Sequence, residues 1–251
     1  MPNEVLSSLN PYYQFSKISE IENVRKYDDK VTTLFVIDGK IEIEFENEKV
    51  EIQTNQGVLI SPHTKILSIN LYDKAVLYEV ISEKKKDKLI EFVDHKNVIQ
   101  EKELIGYKIL ENHKKVSKPW GYELWIVWLK DYHVLKKIFL KKNCKTSLQF
   151  HKEKFETNYI YKGKAKIVNN FHLEKNNHQT ENKINYNNLL EKYSSDIIAP
   201  YSFTVKPQEV HRIISIEDCT SYEVSTPQLD DVIRLQDDAD RKSGRILSEH
   251  N

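Results

Sequence analysis

Four side chains in the second half of the chain have types and spacing suited to holding a divalent metal: Gln149, His151, Glu156 and His211. Gln149 and His151 stand two apart in SLQFH, and residues two apart on a strand point to the same face. Glu156 follows KEKF, where a bend or bulge returns it to that side. His211, in VKPQEVHRI, follows a proline turn and starts another strand, so a neighbouring strand can deliver its imidazole to the same point. Two imidazoles, a carboxylate and an amide oxygen form a mixed N/O set that suits zinc first, and iron(II), manganese or nickel as well. Singly, each residue reads as a surface or hydrogen-bonded polar group. Together, Q-x-H-x(4)-E-x(6)-G and P-x(3)-H in two strand-rich stretches point to one bound ion.

Strands must position these groups. From Val31 the chain alternates apolar and polar residues between DG, NE and NQG turn signals, as hairpin-linked strands do. Ile41, Ile43 and Phe45 fall on one face and Glu42, Glu44 and Glu46 on the other, the pattern of an antiparallel sheet with one buried side. The same signature returns in GYELWIVWLKDYHVLKKIFLKK, TNYIYKGKAKIVNN, SDIIAPYSFTVKP and VHRIISIEDCTSYEVSTP. An internal repeat links the halves: LFVIDGKIEIEF resembles NYIYKGKAKIVN around Gly39 and Gly163, and SPHTKILSI resembles KPQEVHRIISI. This predicts an all-β protein of two tandem barrels, residues 1–95 and 112–245, with the boundary in a charged stretch whose KLIEFV segment could carry a short helix or an edge strand. The Asn- and Lys-rich stretch after His172 reads as a long inter-strand loop. Leu229, Val232, Ile233 and Leu235 suggest a closing turn or short helix.

Aligning the first copy on Gly39 puts Arg25, Tyr27 and Thr32 at the slots of Gln149, His151 and Glu156, and Thr64 near that of His211. None suits a metal site, and His63 lies one position early. The first barrel therefore reads as a structural or substrate-shaping partner without a metal.

Composition excludes several classes. Lys plus Arg equals Asp plus Glu at 38 each, so no global field favours nucleic acid or an anionic membrane. No apolar run reaches the ~20 residues of a membrane helix, and the N-terminus lacks a basic start and an apolar core. Two cysteines, Cys144 and Cys219, fit a reducing compartment, so a cytoplasmic location is expected.

The two-part pattern resembles the cupin superfamily, matched at His151, Glu156, Gly163, Pro207 and His211, with Gln149 replacing the first histidine. Within it, residues 116–241 resemble the cupin domain of type II mannose-6-phosphate isomerases, often fused to mannose-1-phosphate guanylyltransferase: Pro119-Trp120-Gly121 precedes SLQFH, and EVSTPQLDDVIRLQDDADR resembles that family's closing segment. The resemblance implies two double-stranded β-helix (jelly-roll) barrels and metal-dependent isomerisation or epimerisation of a phosphorylated or nucleotide-linked sugar. Departures include Lys154 at an Arg slot, Thr157 and Asn158 where His and Trp are common, and Ala239-Asp240-Arg241 in place of Tyr-Gly-Arg.

Lys154, Tyr222 and Glu223 are the candidate proton carriers, with Lys166 also possible. Lys154, Arg212, Arg234 and Arg241 are the basic groups able to hold a phosphate or carboxylate. Trp125 and Trp128 read as core. Two other functions stay open: an iron(II) dioxygenase on the same ligands, and a non-catalytic bicupin that binds a sugar or small metabolite. The expected partner is a small molecule, and the chain would act as a monomeric bicupin or a homodimer.

Overall fold

The computed structural model describes residues 3–7, 10–21, 30–84, 98–100, 103–172 and 186–250. In chain order the strands are β1 (Glu4–Val5), β2 (Tyr13–Ile18), β3 (Val31–Phe45), β4 (Lys49–Gln53), β5 (Gly57–Ile60), β6 (Ile66–Ser82), β7 (Tyr107–Leu110), β8 (Lys114–Lys118) and β9 (Gly121–Trp128). They continue as β10 (Val134–Leu140), β11 (Leu148–Phe150), β12 (Glu156–Lys162), β13 (Lys164–His172), β14 (Ser194–Ile198), β15 (Tyr201–Val205), β16 (Glu209–Ser215), β17 (Cys219–Ser225) and β18 (Ile233–Gln236). Two helices, α1 (Tyr186–Tyr193) and α2 (Leu247–His250), complete the described elements. Among the described residues no helix is long and apolar enough to cross a membrane.

The chain divides into two compact units, Met1–Lys114 with Trp125–Lys136, and Lys115–Leu124 with Lys137–Asn251. In the first unit one antiparallel sheet runs β1-β2-β6-β3-β5-β7, with β4 paired to β3. The long strands β3 and β6 pair along nearly their whole length, with register shifts at Val36/Asp38 and Glu44/Phe45. Such irregularities bend a strand so that it can wrap a core. Ile41, Ile43 and Ile52 are fully buried, whereas Lys40–Glu51 (3.0 Å) and Lys49–Glu42 (3.4 Å) bridge the opposite face of the β3-β4 hairpin. The alternation expected from the sequence is therefore the alternation of core and solvent.

Trp125–Lys136, expected in the second barrel, belongs to the first unit, and specific bonds hold it there. The Ile99 amide donates to the Trp128 carbonyl (2.9 Å), and the Lys130 amide donates to the Ile99 carbonyl (3.1 Å). Trp125 and Trp128 are buried edge to face, their ring centres 5.2 Å apart. His133 is fully buried, with Nε2 2.8 Å from Thr33 Oγ1 and Nδ1 2.7 Å from Ser82 Oγ.

In the second unit β15, β12 and β17 pair in that order, and another sheet runs β14-β13-β16-β11-β18. Ile160, Ile167, Val205, Ile213 and Leu140 are among its core residues. Gly39 and Gly163, the anchors of the repeat, both have positive φ (75° and 103°). A Cβ would lie 2.8 Å from the Tyr72 carbonyl oxygen at Gly39 and 2.3 Å from that of Asp218 at Gly163. Each repeat thus needs glycine where its backbone runs close against a neighbouring segment.

Two local expectations change. The stretch after His172 carries α1, whose Leu190 and Tyr193 pack on Leu148, Val168 and Val210, while residues 173–185 lie outside the description. The closing segment makes the expected turn, at Leu229 and Asp230, and continues as β18 with no helix at 229–235, because Leu148, Gln149 and Phe150 of β11 offer it an edge to pair with. The KLIEFV segment also lies outside the described residues, as do Arg25 and Tyr27.

Candidate metal centre

The local folding of β11, β12 and β16 explains how distant residues meet. Gln149 of β11 pairs directly with His211 of β16. The Gln208 amide, in the turn before β16, donates to the His151 carbonyl at 2.6 Å and anchors that turn beside β11. Glu156 opens β12 between β15 and β17, and Thr226 clamps the preceding residue by accepting from the Phe155 amide at 3.0 Å.

The result is a compact cluster: one ligand atom each from His151, Glu156 and His211 lies within 4.8 Å of the others. Glu156 Oε2 is 3.3 Å from His151 Nε2, and Glu156 Oε1 is 3.1 Å from His211 Nε2. The Gln149 amide borders the same space, 3.4 Å from His211 Nε2. Each imidazole is oriented through its other nitrogen: His211 Nδ1 donates to the Glu209 carbonyl at 3.0 Å, and His151 Nδ1 donates to the Asp231 carbonyl. Both Nε2 lone pairs then face the centre, the arrangement metal-ligating histidines use. His151 Nε2 is buried without a hydrogen-bond partner, an orphan that a cation would satisfy. The donors fit a divalent metal.

Lys154 stands beside the cluster, 4% exposed, its Nζ 2.6 Å from Glu156 Oε2 and 2.9 Å from Glu223 Oε1. Burial opposes its charge, but the two carboxylates outweigh burial and raise its pKa above the usual lysine value. Burial likewise opposes ionisation of Glu156, and Lys154 with the two histidines holds that carboxyl well below its ordinary range. His151 is pushed down by burial and by Lys154. In His211 burial is overcome by Glu156 and the Glu209 carbonyl, and the pKa rises. Asn158 Nδ2 completes the setting by donating to Glu156 Oε1 at 3.1 Å.

The remaining candidates fall elsewhere. Tyr222 pairs with Tyr159, whereas Glu223 pairs with Asn158, so strand alternation turns Tyr222 to the face opposite the cluster. There it packs edge-on against Tyr161, and burial, with Tyr161 and Tyr122, raises its pKa. Lys166 faces Asp196 at 3.7 Å on the surface. The three arginines are bound to the closing segment and its neighbours instead of reaching the cluster. Arg212, 1% exposed, donates to the Thr146 carbonyl (2.8 Å) and to the side chain and carbonyl of Gln236 (3.0 Å each). Arg234 donates to Ser147 Oγ (3.2 Å) and to the carbonyls of Lys242 and Gly244. Arg241 pairs with Asp237 (2.7 Å) and Glu249 (3.3 Å). Of the basic candidates only Lys154 is at the centre.

In the first unit, Thr32 is buried, Thr64 Oγ1 donates to the Gly106 carbonyl at 2.9 Å, and His63 sits in a turn with φ 62°.

Comparison with known proteins supports the fold. Oxalate decarboxylase from Lactobacillus farciminis, solved as a formate complex, superposes with a TM-score of 0.57 at 13% identity, over 89% of this chain and 79% of that one. The fold is that of a bicupin. Protein Ylba from E. coli gives a TM-score of 0.58 at 8% identity, covering 90% of this chain and 83% of its own. Bacillus subtilis oxalate decarboxylase, described with Mn(II) centres, gives 0.53 at 9%, over 87% of this chain and 72% of that one. No family model and no curated protein sequence matches this chain.

Replacing His151 or His211 with alanine is expected to bring metal content from about one ion per chain to background, because a site of this kind has few ligands to lose. The circular-dichroism spectrum should stay that of a folded β protein. A full metal complement in either variant, by elemental analysis, contradicts the ligand assignment.

Proposed function

We propose that the second unit is a metal-dependent isomerase or epimerase acting on a sugar, with a phosphorylated or nucleotide-linked sugar as the substrate class. The observation that carries this reading is the Lys154 ammonium bridging Glu156 and Glu223 at the edge of the His151, Glu156 and His211 cluster. It sets a carboxylate proton acceptor and a fixed cation beside a ligand set able to hold a Lewis acid.

A divalent ion held by His151, Glu156 and His211, with Gln149 at its border, would polarise a substrate carbonyl or hydroxyl oxygen and acidify the neighbouring C–H. Glu223 is the proton acceptor: it lies on β17 directly opposite Asn158 of β12, on the cluster's face, and is not itself a ligand. Its exposure is 8%, against zero at His151, and the half-buried Gln149 borders the same space. Lys154 orients Glu223 and offers positive charge to an oxygen that becomes negative as the proton leaves. Because Arg212, Arg234 and Arg241 are engaged elsewhere, Lys154 is the basic candidate left to face a substrate at this centre. The likeness of Pro119-Trp120-Gly121, SLQFH and the Asp230 to Arg241 segment to the mannose-6-phosphate isomerase cupin supports a sugar over other carbonyl compounds.

The test is incubation in deuterated water with aldose phosphates, ketose phosphates and nucleotide sugars, read by mass spectrometry and NMR. A true substrate should gain deuterium on a carbon next to the carbonyl, and Glu223→Gln should slow that exchange by ~100-fold or more with metal still bound. Oxygen consumption with a hydroxylated product and no carbon-bound deuterium would transfer the chain to the dioxygenase class.

A further inference from the structure

Asp231 belongs to the segment between β17 and β18, far in sequence from the ligands, yet two of its groups converge on them. Its backbone carbonyl accepts from His151 Nδ1. Its carboxylate accepts from three successive backbone amides, Lys152 (3.0 Å), Glu153 (2.6 Å) and Lys154 (3.1 Å). Three amides aimed at one carboxylate form an anion-binding nest, and the charge makes each bond stronger than a neutral one. The loop so captured begins at the ligand His151 and ends at Lys154.

The closing segment is itself held on β11 from both sides of Asp231. Asp230 pairs with Arg245 (2.9 Å), and the Gly244 amide donates to the Val232 carbonyl (2.7 Å). Beyond it, β18 pairs Ile233, Arg234 and Gln236 with Phe150, Gln149 and Leu148. Arg212 reaches from β16 to Gln236, and Ser147 donates to Asp237 at 2.8 Å. The position of Asp231 is thus set by bonds that do not involve the cluster.

We infer that Asp231 is the positioning residue of the metal centre: its carbonyl sets the tautomer and direction of His151, and its carboxylate fixes the loop that carries Lys154. The inference rests on the reading of His151, Glu156 and His211 as metal ligands. It adds that this centre is completed by the closing segment and is not a property of the barrel strands alone.

The experiment uses Co(II) as the probe on the full chain, measuring affinity by competition with a chelator and geometry from the visible absorption of the bound ion. Asp231→Ala removes the carboxylate and should weaken Co(II) binding by 10- to 100-fold, the range for partners that orient ligands, with an altered visible spectrum. Asp231→Asn keeps an oxygen acceptor without the charge and should fall between that variant and the parent, with a nearer-native spectrum. Asp196→Asn disturbs only the exposed Lys166 pair between β13 and β14 and leaves the closing segment and the nest intact, so it should bind Co(II) within about twofold of the parent. Parent-like affinity and spectrum in Asp231→Ala overturn the inference, as does an equal loss in Asp196→Asn. If Asp231→Ala does not fold, Asp231→Asn decides, and parent-like behaviour there also overturns it. A parent protein that takes up no Co(II) overturns the ligand reading and this inference together, and that arm separates the two failures.

Discussion

Lys154→Met is expected to make the second unit depend on metal for its stability. In the parent protein the ammonium lies 2.6 Å from Glu156 and 2.9 Å from Glu223, and all three groups are buried. Methionine matches the length of the lysine stem and removes its charge, leaving two buried carboxylates without the ammonium that joined them. Breaking a buried ion pair from one side costs about 3–5 kcal/mol, because the remaining charge loses its partner without regaining water. Without metal, the variant should therefore unfold at markedly lower urea concentration. A divalent ion would restore positive charge at Glu156, so saturating metal should recover much of the loss by mass action. Metal affinity should also rise. Two unit charges 4 Å apart interact by about 4 kcal/mol at an effective dielectric constant of 20, so loss of the ammonium should tighten binding more than tenfold. Urea titrations with and without Zn(II), alongside chelator competition, measure both effects. Equal metal-free stability in parent and variant would show that the Lys154 bridge does not hold this part of the barrel.

The second large effect is acid lability arising in the first unit. His133 has both ring nitrogens against hydroxyl groups, those of Thr33 and Ser82, and burial pushes its pKa down to about 3. In the unfolded chain the imidazole takes up a proton near pH 6.5, whereas the folded form does so only near pH 3. Between those values the unfolded state binds more protons, so stability falls as the pH is lowered through that window. Between pH 7 and pH 4.5 the loss from this one group is about 2–3 kcal/mol. His151, also lowered, and Glu156 act in the same direction, while the raised His211 acts in the opposite one. The measurement is therefore the difference between the parent and His133→Gln, which retains hydrogen-bonding capacity and cannot titrate. Urea midpoints at the two pH values should move less in the variant. An identical pH dependence in both proteins would place the acid-sensitive group elsewhere.

What could be read from the residues alone follows the range of the physical signal. Alternation within ten residues is a local property, so Ile41, Ile43 and Phe45 declared the buried face of β3, and the strand-rich repeat declared two barrels. Gln149 and His151 shared a face by periodicity, and Glu156 and His211 were joined to them by a spaced pattern. Asn158 was within reach of the same reasoning, since it stands two residues after Glu156 on one strand. Asp231 was not. Its role depends on a backbone carbonyl and on three amides some eighty residues earlier, none of which leaves a trace in residue type. The arginines misled for a related reason: Arg212, Arg234 and Arg241 look like anion binders, and only the docked segment shows that carbonyls, Ser147, Asp237 and Glu249 already occupy their donors. Tyr222 was selected by composition, and the β12-β17 register turns it away. The helical spacing of Leu229 to Leu235 was overridden by an available strand edge, a case of tertiary pairing outweighing a weak local pattern.

The pairing of β11 also governs the order in which the protein can assemble. Both neighbours of this three-residue strand are made long after it: Gln149 joins His211 on one side, and Leu148 joins Gln236 on the other. During synthesis β11 therefore emerges as an edge with no partner, while β13 finds its partner β14 much nearer in the chain. Closing such wide loops must precede the contacts that reward it, which makes the step slow compared with local hairpin formation. Folding should then show a late phase in which the ligand residues reach their final spacing only after most of the β-sheet signal has developed, with an exposed β11 in the preceding intermediate. That interval is when the nascent barrel is most open to pairing with another chain.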